Sequence, residues 1–167
     1  MKFLYLLFLL LGTSLFLFNC SEDNSVPDTN DQKRQATMFT GVEHPVQTFS
    51  NGTLTPLPSG LILVEGGEWE YRDSTSDPRV TGKSLFYASA LFDTTFSGQF
   101  WGTAELIPNN GGSWDMRCVG ERSLTEGSLV EVIGYGKGVL EGLTAIWTYK
   151  CLPGETDYTV EGFIVEP

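Results

Sequence analysis

The chain reads as an all-β protein: a small antiparallel up-and-down β-barrel of about eight strands. Three observations carry that expectation. After residue 38 no stretch repeats apolar residues at helical spacing. Short runs rich in β-branched and aromatic residues recur instead, each ended by Gly, Pro, Asn or Asp. Finally, 19 glycines are present, and Gly102, Gly134, Gly142 and Gly162 fall inside or beside the runs, where bulges and sharp bends are expected to turn the corners of a small barrel.

The runs begin with Leu61, Ile62, Leu63 and Val64, continuing through Gly66-Gly67 to Trp69 and Tyr71. Trp69 and Tyr71 share one face, while Glu68, Glu70 and Arg72 share the other, the split that one wet face requires. In residues 84–92, Phe86, Ala88, Ala90 and Phe92 form one face, and Leu85, Tyr87 and Leu91 the other. Residues 99–107 alternate Phe100, Gly102, Ala104 and Leu106 with Trp101, Thr103, Glu105 and Ile107. The turn signal Pro108-Asn109-Asn110-Gly111-Gly112 comes next. Further strands are expected at 114–119, 129–135, 144–151 and 158–165. A meander of this length avoids open edges by closing on itself, and a barrel of about eight strands is just wide enough for its own side chains.

Ahead of this domain, set at 38–167, two segments differ in composition. Residues 1–19 form a secretory signal, with Lys2 before an apolar run over 3–18 and Cys20 at its end. The run is shorter than the roughly 20 residues of a spanning helix. The pattern resembles a bacterial lipoprotein signal, which implies an acylated Cys20 as the mature N-terminus and a membrane partner through that lipid. The alternatives are a spanning anchor or an ordinary cleaved signal. Residues 20–37 are polar and acidic, with one large aliphatic residue, Val26. They are expected to be a disordered tether. Ser21-Glu22-Asp23 resembles an export tag to the cell surface, though any solvated linker reads the same way. The expected location is the cell envelope, lipid-anchored to the outer membrane, facing the periplasm or the surface.

Net charge is −11, with 21 Asp+Glu against 10 Lys+Arg, and no basic stripe exists. Nucleic acid is therefore excluded as a partner. No metal or cofactor set is legible: the chain has one histidine, His44, placed in coil before the first strand, and the glycines of 134–142 open no helix that could cradle a phosphate. No catalytic set is assigned. With Cys20 lipidated, Cys118 and Cys151 remain, to form either a disulfide or two buried free thiols. Two strands apart in a flat sheet they would stand nearly 10 Å apart, beyond disulfide reach, and only strong curvature or a strand-end loop would close the gap.

Four short motifs carry a resemblance. They are Asp77-Pro78-Arg79-Val80-Thr81-Gly82, Phe100-Trp101-Gly102-Thr103, Gly112-Ser113-Trp114-Asp115, and Gly134-Tyr135-Gly136-Lys137-Gly138 with Leu140-Glu141-Gly142-Leu143. Over about residues 60 to 165 the chain resembles secreted bacterial proteins of the allene oxide cyclase and dirigent type of β-barrel. Tyr135 stands where those proteins carry His, and Lys137 where they carry a small polar residue. The resemblance implies fold more than activity.

The expected function is non-enzymatic binding of a small apolar ligand or a partner protein. The alternatives are a cyclase- or isomerase-like enzyme using the barrel interior, and a carbohydrate-binding accessory module. Trp101, Glu105, Tyr135 and Trp147 are expected to meet inside the barrel or at its mouth as ligand contacts; the plainer reading packs the indoles in a core and turns Glu105 to water. Glu105 and Glu131 are either a lumen pair or two solvent-facing strand carboxylates. Replacing Cys20 by alanine is expected to abolish acylation. Detergent-phase partitioning checks this, and a variant that partitions like the wild type would reject the anchor.

Overall fold

Eight antiparallel strands close into a ring in the computed structural model, which describes residues 35–167. The signal segment 1–19, Cys20 and the tether through residue 34 lie outside the described residues. The strands are β1 (Ala36–Pro56), β2 (Ile62–Thr75), β3 (Gly82–Phe92), β4 (Gly98–Pro108), β5 (Ser113–Ser123), β6 (Gly127–Lys137), β7 (Thr144–Cys151) and β8 (Tyr158–Val165). Each pairs with its neighbours in chain order, and β1 pairs with β8 to close the ring.

Sequence periodicity locates β2 to β8 but not β1. His44 and its neighbours form strand, not coil: β1 spans 21 residues. Its pairing with β8 covers only residues 36–43, whereas its pairing with β2 runs on to Pro56. The outer part of β1 is thus an arm paired on one side, with register shifts at Pro45/Gln47 and Thr48/Ser50. A proline and irregular pairing both blunt such an edge against further strand addition.

The end of the barrel nearest the turns β2–β3, β4–β5 and β6–β7 is plugged. Phe39, Leu106, Trp114, Ala145, Trp147 and Ile164 are buried there. Trp147 meets Phe39 and Trp114 edge-on, with ring centroids 6.2 and 6.4 Å apart, a preferred geometry for aromatic pairs. Space for this indole comes from missing side chains. A Cβ on Gly162 would collide with Trp147 Cβ, and one on Gly134 would lie 2.8 Å from its ring. These glycines sit in unbroken register, so they accommodate a large neighbour rather than mark the bulges expected from sequence.

Two 3₁₀ turns complete the plug, at Pro78–Val80 and Gly138–Leu140. Each inserts one apolar side chain, Val80 and Leu140, both buried. The first turn is locked by charge. Asp77 accepts from the backbone N–H of Arg79 at 2.9 Å and from its guanidinium at 2.7 Å. Arg79 also reaches Glu166 at 2.8 Å, beyond the end of β8. Trp114 Nε1 donates to the Arg79 carbonyl at 2.7 Å. The Asp-Pro-Arg and Gly-Ser-Trp motifs are therefore two halves of one structural clasp.

Trp114→Phe keeps an aromatic ring but removes this N–H, leaving the Arg79 carbonyl without that donor and a small void beside it. A loss of about 1–3 kcal/mol is expected. Urea unfolding checks it, and a change under about 0.5 kcal/mol would show that the clasp carries little of the stability.

Candidate functional site

The other half of the barrel is not filled. A cavity of about 480 Å³ opens there, lined by all eight strands and the β3–β4 turn. The expectation of a lumen filled by its own side chains holds only for the plugged half. Small residues on β3 and β4 make the room: Ala88, Ala90 and Ala104 line it. Its walls are aromatic. Phe86 packs near Trp69 and edge-on to Phe100, with centroids 6.1 and 6.3 Å apart, while Tyr71 meets Tyr158 edge-on at 6.2 Å. Asn51, Leu54, Phe96 and Arg122 line it and are exposed, so the cavity reaches solvent at that end.

The inner end of the cavity is polar. Glu43 is the last residue of β1 paired with β8, and it stands directly opposite Asp73 of β2. Alternation along the strands turns both inward, since Phe39 and Gly41 precede one and Trp69 and Tyr71 precede the other. Both carboxyls are buried, Glu43 at 7% and Asp73 at 2% exposure. Asp73 accepts hydrogen bonds from Ser84 Oγ and, at 3.1 Å, from Tyr149 OH. Ser84, Tyr149 and Glu43 line the cavity.

Burial governs the protonation of this pair. Removal from water raises the Glu43 carboxyl well above the usual carboxylate range, and the facing Asp73 raises it further. Burial likewise lifts Asp73, to about 6, although its bonds from Ser84 and Tyr149 oppose the rise. Both carboxyls therefore hold a proton to higher pH than a solvated carboxyl does. Burial first, then the charge of Glu43, raise the Cys118 thiol to about 12, so it stays a neutral wall group.

The four residues expected to meet do not. Trp147 is interior, in the plug rather than against the cavity. Trp101 and Tyr135 are on the outer face, at 44% and 47% exposure. Glu105 is on the same outer face, opposite Asp115, which is in turn opposite Tyr135. Strand alternation accounts for the separation: the inner positions of β4 are Phe100, Gly102, Ala104 and Leu106, so Trp101 and Glu105 must point out. Glu131 is likewise outward and exposed. Cys118 and Cys151 are both buried and free. They lie on β5 and β7 with β6 between them, and Cys118 is level with Trp147, four residues from Cys151. An offset of two strands and four residues accounts for their being unlinked. His44 is exposed and pairs with Asp157 at 3.0 Å. Among the described residues no His, Cys, Asp or Glu cluster could hold a metal ion.

No family model, curated protein or solved structure matches this chain.

The raised carboxyls have a thermodynamic sign. The folded protein binds more protons than the unfolded chain above the ordinary carboxylate range, so their contribution is fully present below about pH 4 and is lost as pH rises through about 6 and beyond. Glu43→Gln removes one of these groups. It is expected to stabilise the fold at neutral pH by roughly 1–3 kcal/mol and to flatten the decline above pH 4. Thermal unfolding across that range checks it, and an unchanged slope would contradict the assignment.

Proposed function

We propose that this protein is an exported, lipid-anchored β-barrel that binds a small, largely apolar ligand in its interior. The single observation that carries the reading is the aromatic-walled cavity of about 480 Å³, closed at one end and open at the other. Its size and its lining, apolar with a few convergent polar groups, are those of small-molecule sites. The anchor rests on Cys20 at the end of an apolar run, and it holds the barrel at the cell envelope, on the outer membrane. The resemblance to allene oxide cyclase- and dirigent-type barrels is compatible with the ring of eight strands, and those motifs that form the clasp speak for a shared fold rather than a shared reaction.

A second reading is a cyclase- or isomerase-like enzyme. It is favoured by the Glu43–Asp73 pair, because two facing buried carboxyls, both raised toward neutral pH, can deliver and remove a proton within one pocket. Its test is exchange of ligand protons for deuterium by the wild type but not by Glu43→Gln. Carbohydrate binding draws less support. Tyr87, Trp101 and Tyr135 are exposed, but Tyr135 stands two strands and several residues from Trp101, so the rings form no continuous platform.

The binding reading is tested by filling the cavity. Ala88→Phe places a ring in the lumen without touching the clasp. An environment-sensitive anilinonaphthalene dye is expected to bind the wild type and to lose at least about ten-fold in affinity with the variant, because a blocked pocket can no longer remove the dye's apolar surface from water. Equal fluorescence enhancement by both proteins would place the dye elsewhere and sink the reading.

A further inference from the structure

The inner end of the cavity is built to accept. Glu43 is more than nine-tenths buried, yet no described group hydrogen-bonds its carboxyl. Its oxygens keep contact with the cavity, since no enclosed side-chain oxygen in the described residues lacks a partner. Ser84 and Tyr149 spend their hydroxyl protons on Asp73, which leaves their oxygen lone pairs for whatever occupies the cavity. The inner end thus offers the carboxyl of Glu43 and two acceptor hydroxyls, backed by the carboxylate of Asp73. The walls add the π-faces of Trp69, Tyr71, Phe86 and Phe100, which attract cations. The one basic residue in the lining, Arg122, is exposed at the open end.

We infer that the ligand is an organic ammonium ion: an apolar body held by the aromatic walls, with a protonated amine seated against Glu43, Ser84 and Tyr149. This rests on the reading of the cavity as a ligand site and names the ligand's class. Once Glu43 ionises, the inner end offers only acceptors; the ammonium supplies the donors, and its charge offsets the repulsion between the two carboxylates. Glu43 gives up its proton to solvent as the cation arrives, so binding releases protons. The titratable groups that interact with Glu43 are Asp73 and Tyr71 from β2, Cys118 from β5, Tyr149 from β7 and Tyr158 from β8, while Arg122 of β5 stands at the open end. The phenols and the thiol stay neutral at neutral pH because burial raises each of them. Only the two carboxyls carry the response.

Titration calorimetry of the full-length protein with phenylbutylamine, phenylbutanol and phenylbutyrate separates the possibilities, because the three probes share a body and differ in the head. At neutral pH the amine is expected to bind about ten- to a hundred-fold more tightly than the alcohol, with a heat that depends on buffer ionisation and reports proton release. Glu43→Gln should abolish the preference for the amine over the alcohol. Should that variant fail to fold by circular dichroism, the ranking and the proton release of the wild type still decide. An alcohol that binds as well as the amine, or a phenylbutyrate preference set by Arg122, overturns the ammonium assignment while the cavity reading stands. An amine preference that survives in Glu43→Gln overturns it too. Binding of none of the three overturns both.

Discussion

Closure of β1 on β8 is the constraint on which the rest of the molecule depends. It joins the two ends of the described chain, and every other strand pair is a neighbour in sequence. Closure covers only residues 36–43 of a 21-residue strand. Where it stops, the barrel stops being a sealed cylinder. Below that level Phe39 and Ile164 pack into the plug; at it, Glu43 faces inward; above it, β1 continues with β2 alone. The position of the buried carboxyl and the opening of the cavity are thus two outcomes of one pairing register.

The interior is graded along its axis. Large rings fill the plugged half because glycines on neighbouring strands yield to them, as Gly134 and Gly162 do to Trp147. In the open half the balance is reversed, with alanines on β3 and β4 among the lining rings around an unfilled space. A polar layer of Glu43, Asp73, Ser84 and Tyr149 separates the two halves. Burying two facing acids costs free energy unless they share protons or find a counter-charge. That cost falls at the inner end of an accessible pocket rather than inside the packed plug.

Much of this was legible in the sequence. The faces assigned to Trp69 and Tyr71, to Phe86, Ala88 and Ala90, and to Phe100 and Ala104 are those that line the lumen, because period-two alternation survives in them. β1 was missed because its inward positions, Phe39, Gly41 and Glu43, include a single apolar side chain, and Pro45 interrupts the alternation beyond them. Losing β1 also hid Glu43, and with it the meaning of Asp73. Pattern alone assigns residues to two faces but does not say which is inside. On β4 the bulkier outer residues, Trp101 and Ile107, drew attention outward, whereas a narrow barrel admits glycine and alanine to its lumen. That steric rule was the available signal, and it would have set Trp101, Glu105 and Tyr135 apart from Trp147.

The clasp at the plugged end has a topological consequence. Ala36 lies opposite Val165, and Glu166 N–H donates to the Gln35 carbonyl at 3.0 Å, so the first and last described strands begin and finish side by side. A ring whose ends already touch has no privileged starting point. Joining those ends by a short peptide and cutting the exposed turn at residues 94–96 would give a circular permutant that keeps every strand pairing, the clasp and the polar layer.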